Sequence, residues 1–184
     1  AKAPENNACL DDDVTVASLN VLHGLFCPAG TAGCRRSDRT ALVAQFVVAR
    51  GCPDVLAFQE IFDFGAGNEN AQTLAAALTN VCPAPYVAIY RRANPVDDEM
   101  ILSRHPVLAD ETVPLLGPLR NVLHVRIDHP IGALDVYATH LASGSDLATS
   151  PCAGTFGPCP SECVATGAST VRECQAVQMA NLIA

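Results

Sequence analysis

The sequence has no tryptophan and a single lysine, Lys2. The missing indole weighs modestly against an enzyme that inserts into a lipid interface, where Trp is a common anchor. The scarcity of lysine, with a formal net charge of -8, argues against a protein held to nucleic acid mainly by counterion release. It leaves room for an enzyme that meets phosphate through a metal ion and a few arginines. No uncharged apolar window reaches the ~18 residues that a membrane helix needs. No internal repeat and no interdomain linker is found, so residues 1–184 read as a single domain, with residues 1–13 a polar N-terminal tail. That tail has no apolar signal core, and it suits a mature terminus left after signal removal.

What is present points to a globular chain. Hydrophobic residues make up 49% and charged ones 16%, which is too apolar for a disordered segment. Nine cysteines are scattered along the chain without a zinc pattern; Cys159 and Cys163 have metal-like spacing but no second pair follows. Disulfides in a secreted protein account for them better, with the short Cys27–Cys34 loop the easiest to close. The number is odd, so one cysteine is either free or paired with another chain.

Periodicity gives an α/β order. Val14 to Leu19 form a strand closed by Asn20, followed by a Gly- and Cys-rich loop to Arg36 in which His23 has no assigned role. A helix follows with Ser37 as N-cap, Leu42, Val43, Phe46 and Val47 on one face, and Gly51 as its stop. Val55 to Phe58 are a short apolar run opened by Gly51-Cys52-Pro53, the pattern of a strand covered on both faces. Strand, helix and strand in this order suit parallel neighbours, which puts Asn20, Gln59 and Glu60 at one carboxyl rim.

Further on, a helix carries Ala71, Leu74, Ala75 and Leu78 on one face. Strands are expected at Tyr86–Tyr90 and Met100–Leu102, joined by a polar turn from Arg91 to Glu99, with Ser103 to Pro106 breaking the second. Residues 107–121 read as irregular. Val122–Ile127 and Leu134–Thr139 make a hairpin through His129 to Gly132, and His140 ends it. The stretch 143–168 is too long for an unstructured connection unless disulfides staple it or function needs it. A capping box of Thr170 and Glu173 starts a last helix, with Ala176, Met179, Ala180 and Ile183 on one face.

Three apolar strands thus end in Asn20, Glu60 and His140. Taken singly, each is either an ordinary polar residue at a strand end or a site residue. A strand-end carboxylate such as Glu60 can ligate Mg²⁺, Asn20 can orient a water or phosphate oxygen, and His140 can donate to a phosphoryl oxygen.

At this point the chain resembles the endonuclease/exonuclease/phosphatase superfamily, in its deoxyribonuclease-like and sphingomyelinase-like members. The resemblance rests on Val16-Ala17-Ser18-Leu19-Asn20-Val21, on Pro53-Asp54-Val55-Leu56-Ala57-Phe58-Gln59-Glu60 and on Tyr137-Ala138-Thr139-His140-Leu141. Glu99 to Pro106, containing Ile101-Leu102-Ser103-Arg104, and the Arg172-x-x-Gln175 helix add to it. It implies the N-terminal half of a four-layer α/β/β/α sandwich with a mixed sheet. It also implies Glu60 as a Mg²⁺ (or Mn²⁺) ligand, Asn20 at the metal or phosphate, and His140 at the scissile phosphate; Arg120 lies near a position where some members carry a basic residue.

The family's second half, with an Asp-x-Asn pair, a further Asp and a closing Asp-His base, has no counterpart here. The expectation is the N-terminal part of a secreted metal-dependent phosphodiesterase, inactive alone, with a second chain or a C-terminal half as partner. Its substrate would be a phosphate ester: nucleic acid, phospholipid headgroup or small ester. The alternative is an inactive extracellular assembly subunit that retains the fold.

Overall fold

The computed structural model describes residues 13–21, 36–61, 69–91, 98–117, 120–144, 148–154 and 156–184. The tail up to residue 12, His23 and the Cys27–Cys34 loop lie outside the described residues.

Chain order is β1 (Val16–Asn20), α1 (Arg36–Ala49), β2 (Val55–Ile61), α2 (Glu69–Thr79), β3 (Val87–Tyr90) and β4 (Asp98–Ser103). Then come β5 (Val107–Pro114), β6 (Asn121–His129), β7 (Gly132–Thr139), α3 (Ser161–Ala165) and α4 (Val171–Ile183). One sheet has the order β1-β2-β4-β3, with β1 and β2 parallel and the other pairs antiparallel. The second sheet, β5-β6-β7, is wholly antiparallel.

Side chains of a strand alternate between faces, and β2 uses both. Leu56 and Phe58 pack with Ala44 and Val47 of α1 and with Leu74 and Leu78 of α2. Val55 and Ala57 turn the other way, onto Leu123, Val125 and Ile127 of β6 and Ala138 of β7. The two sheets therefore face each other across one core, and α1 and α2 cover the first sheet. Tyr137 of β7 donates its hydroxyl to the carbonyl of Leu182 in α4, on the second sheet's side. This matches the expected α/β/β/α layering with a mixed sheet.

Several local expectations hold: the parallel β1–β2 pair, the four-residue apolar face of α2, Gly51 in the left-handed region at φ 78°, and the Thr170–Glu173 capping box. Others are corrected. Helix α1 already includes Arg36, so Ser37 lies inside it, and Leu42 and Phe46 are exposed while Ala44 and Val47 are buried. Residues 107–114 are a strand and not irregular; pairing with β6 along its length supplies the order that its mixed polarity conceals. The supposed turn before Met100 contributes Asp98 and Glu99 to β4, both buried.

The last helix is also turned from the expected face. It buries Val171, Cys174 and Gln175, while Ala176, Ala180 and Ile183 are exposed. Gln175 decides this: its Oε1 accepts from Ala142 N at 2.7 Å and its Nε2 donates to the Leu116 carbonyl at 2.7 Å. Disulfides Cys152–Cys159 and Cys163–Cys174 staple the stretch before it, as its length required, and Cys52–Cys82 ties α1's exit to α2's exit.

Candidate active site at the carboxyl rim of the mixed sheet

The three strand-end residues meet. Asn20 Nδ2 donates to Glu60 Oε1 at 2.7 Å, and His140 Nε2 lies 3.6 Å from the same oxygen. Parallel pairing aligns Asn20 with Gln59, and the Gln59 amide reaches Ser18 Oγ at 3.0 Å, which fixes β1 against β2 at the rim. The Glu60 side chain is 13% exposed and that of His140 19%, so both are sheltered yet reachable.

Glu60 reaches this place through a bulge. Phe58 pairs with Met100 and Ile61 with Asp98, so Gln59 and Glu60 together oppose Glu99. Glu60 has φ 60°, left-handed backbone that a residue with a Cβ occupies at a cost of about 1–2 kcal/mol. Bulges of this kind re-aim a side chain, and strained residues of this kind cluster at functional sites.

His140 is held from two sides. Its backbone N–H donates to buried Glu99 Oε1 at 3.0 Å. Its Nδ1 lies 3.5 Å from Arg120 Nη1. Arginine is only a donor, so in the neutral ring this contact favours Nδ1 as acceptor and leaves the hydrogen on Nε2, the nitrogen facing Glu60. Asn121 Nδ2 donates to Asp98 Oδ1 at 3.2 Å and Thr139 Oγ1 to the Asn121 carbonyl at 2.8 Å, locking β4, β6 and β7 together beneath the site.

Asp98, Glu99 and Asn121 were not singled out in the sequence. For the two acids the signal, the run Asp97-Asp98-Glu99 before an apolar strand, reads as a solvated turn until β4 is paired on both sides.

The donor set suits Mg²⁺ or Mn²⁺. Mg²⁺ is often bound through one or two carboxylates, with water and substrate phosphate completing the shell. One sheltered carboxylate flanked by an amide and an imidazole fits that pattern.

Among the described residues, two other groups of three place ligand atoms within 4.8 Å of one another. Cys152, Cys159 and Cys174 are all in disulfides. Asp54, His105 and His129 form a candidate metal-binding cluster at the far end of β2 from Glu60. Burial disfavours the Asp54 carboxylate's charge, but bonds from the Thr15 side chain and backbone, with Arg104 and His105 nearby, hold its pKa below the ordinary value.

No family model and no curated protein sequence matches the chain. Solved structures do match its fold. D. rerio TDP2, crystallised with a single strand DNA product, is 19% identical with a TM-score of 0.54, over 72% of this chain and 48% of that one. Truncated C. elegans TDP2 is 22% identical with a TM-score of 0.54, over 72% of this chain and 48% of that one. SmcL is 17% identical with a TM-score of 0.54, over 74% of this chain and 50% of that one. This chain therefore has the endonuclease/exonuclease/phosphatase fold over most of its length. It spans about half the length of these structures.

Proposed function

We propose that this chain is the metal-binding portion of a secreted, divalent-metal-dependent phosphodiesterase. The observation that carries the reading is the convergence of Asn20 and His140, from two sheets, on one oxygen of Glu60. When bound, Mg²⁺ or Mn²⁺ supplies charge stabilisation at a phosphoryl oxygen and a more acidic water. Glu60 holds the ion. Asn20 fixes the carboxylate through its amide N–H, and its own oxygen would be available to the metal. His140 presents its Nε2 hydrogen to an anionic phosphate oxygen, the kind of positioned donor that stabilises developing charge. Glu99 and Arg120 keep that imidazole in place. Because the chain spans about half the length of the structures it matches, the reading assigns the base and any further acidic ligands to additional polypeptide and expects no hydrolysis from these residues alone.

Three disulfides among the described residues support an oxidising, extracellular location. The single strand DNA product held by D. rerio TDP2 makes nucleic acid the first substrate to test, ahead of phospholipid headgroups and small esters.

Mn²⁺ titration followed by electron paramagnetic resonance tests the site. One saturable Mn²⁺ is expected, weakened at least tenfold by Glu60→Gln and competed by Mg²⁺. Binding that is absent, or indifferent to that substitution, removes the reading. It would favour instead an inactive assembly subunit, a role to which the exposed Val16 and Val87 of edge strands β1 and β3 lend themselves.

A further inference from the structure

We propose that Asp54, His105 and His129 form a Zn²⁺ site that clamps the two sheets together at the pole opposite Glu60. The proposal stands on residues that take no part in the phosphodiesterase site. Asp54 immediately precedes β2 and Glu60 lies near its other end, six positions on, a distance of about 20 Å in extended chain.

Each ligand comes from a different part of the fold. Asp54 precedes β2 of the mixed sheet, His105 sits in the turn from β4 to β5, and His129 ends β6 at the hairpin. That hairpin and that turn are already adjacent, since Asp128 N donates to the Pro106 carbonyl at 2.9 Å. An ion held by all three residues would therefore fasten the edge where the chain crosses from one sheet to the other.

The geometry is close to what zinc needs. Tetrahedral bonds of roughly 2.0–2.1 Å put neighbouring ligand atoms about 3.4 Å apart. Asp54 Oδ1 and His105 Nε2 lie 3.6 Å apart, and the His105 and His129 rings meet edge to face with centroids 4.4 Å apart. All three ligand atoms fall within 4.8 Å of one another, so modest side-chain rotations close the site. His105 Nε2 is buried without a hydrogen bond, an arrangement with an energetic cost that an ion would remove. Asp54 is prepared as a ligand: Thr15 N and Oγ1 both donate to Oδ2, at 2.9 and 2.6 Å, which holds the carboxylate with Oδ1 toward His105.

Two features oppose binding, and the first bears on the choice of ion. Arg104 Nη1 lies 3.7 Å from Asp54 Oδ1 while donating to the Cys52 carbonyl. Its charge weighs most against an ion held by charge alone. Two imidazoles and one carboxylate are a donor set for Zn²⁺, whereas Mg²⁺ prefers oxygen. His129 Nδ1 accepts from Ile131 N–H at 3.3 Å. Coordination through Nδ1 uses that lone pair, and coordination through Nε2 moves the ring hydrogen to Nδ1. Either mode breaks this long bond, and the Ile131 amide reports it.

The test is metal binding by the chelator-treated, disulfide-intact protein. Zn²⁺ competed against a chromogenic indicator should bind at one equivalent, at least tenfold more weakly in Asp54→Asn and His129→Asn and unchanged in Glu60→Gln. Co²⁺ in the same site should show the intense visible bands of a four-coordinate ion without a thiolate charge-transfer band. In the unsubstituted protein, Zn²⁺ should shift the imidazole resonances of His105 and His129 and the amide of Ile131, and leave His140 unmoved. That measurement decides the matter if a variant fails to fold. No saturable Zn²⁺, a thiolate band, or unmoved His105 and His129 resonances would overturn the proposal.

Discussion

Asn20 and Glu60, 40 positions apart in the chain, are joined by a 2.7 Å hydrogen bond from the amide of one to the carboxylate of the other. The bond depends on two separate pieces of backbone geometry. Parallel pairing brings the end of β1 level with Gln59, and the bulge in β2 carries Glu60 round to meet it. Strain in one residue is thereby converted into the position of a carboxylate.

Comparing Glu60→Gly with Glu60→Ala isolates that strain. Both remove the carboxylate, but only glycine occupies φ 60° without a Cβ penalty. The glycine variant should be more stable than the alanine variant by about 1 kcal/mol in urea unfolding, with Mn²⁺ binding lost from both. Equal midpoints would mean that the left-handed backbone at this position stores nothing.

Gln175 holds α4 to the second sheet. It is 1% exposed, and Leu in its place would leave the Ala142 amide and the Leu116 carbonyl without their partner. Leaving the buried Ala142 amide and the half-buried Leu116 carbonyl unbonded costs about 2–4 kcal/mol in all, which chemical denaturation of Gln175→Leu should show. A loss under about 0.5 kcal/mol, the size of an ordinary surface change, would show that water reaches these groups.

His124 should make stability depend on pH. Burial lowers its pKa, but hydrogen bonds and charges from Asp135 and Glu111, at 2.8 and 3.1 Å, outweigh that and raise it above 6.5. A group whose folded pKa is raised contributes fully below its unfolded value and loses the contribution as pH climbs through the folded one. The native protein should therefore lose stability from about pH 6.5 upward relative to His124→Gln. Parallel stability curves for the two proteins across that window would count against it.

The Cys52–Cys82 bond closes a loop of 30 positions, against 7 for Cys152–Cys159. In the chain-entropy account the longer loop restrains the unfolded state more. Replacing Cys52 and Cys82 by Ala should cost about 3–4 kcal/mol, and more than the same change at Cys152 and Cys159. The reverse order would show that native packing around the bonds matters more than loop length.

Much of this was legible in the chain itself. The run Pro53 to Glu60 needs no partner to be recognised, because a continuous apolar segment closed by polar residues has few other uses. The strand ends at Asn20 and His140 and the Thr170–Glu173 box are equally local, set by hydrogen bonds and side-chain periods within a few residues. Local pattern thus determined that Asn20, Glu60 and His140 lie at or beside the ends of strands, and the tertiary structure brought them together.

The rest was decided between elements that are distant in the chain. Glu99 is a buried partner of His140 only because β4 lies between β2 and β3, and residues 107–114 are a strand only because β6 runs beside them. Helix α4 turns Gln175 inward because two unpaired backbone groups wait there. Asp54, His105 and His129 carry no shared spacing at all, and they meet because the crossing from one sheet to the other brings them to one edge. Local patterns are set by short-range hydrogen bonding and periodicity; burial of a polar group is set by whichever distant strand supplies its partner.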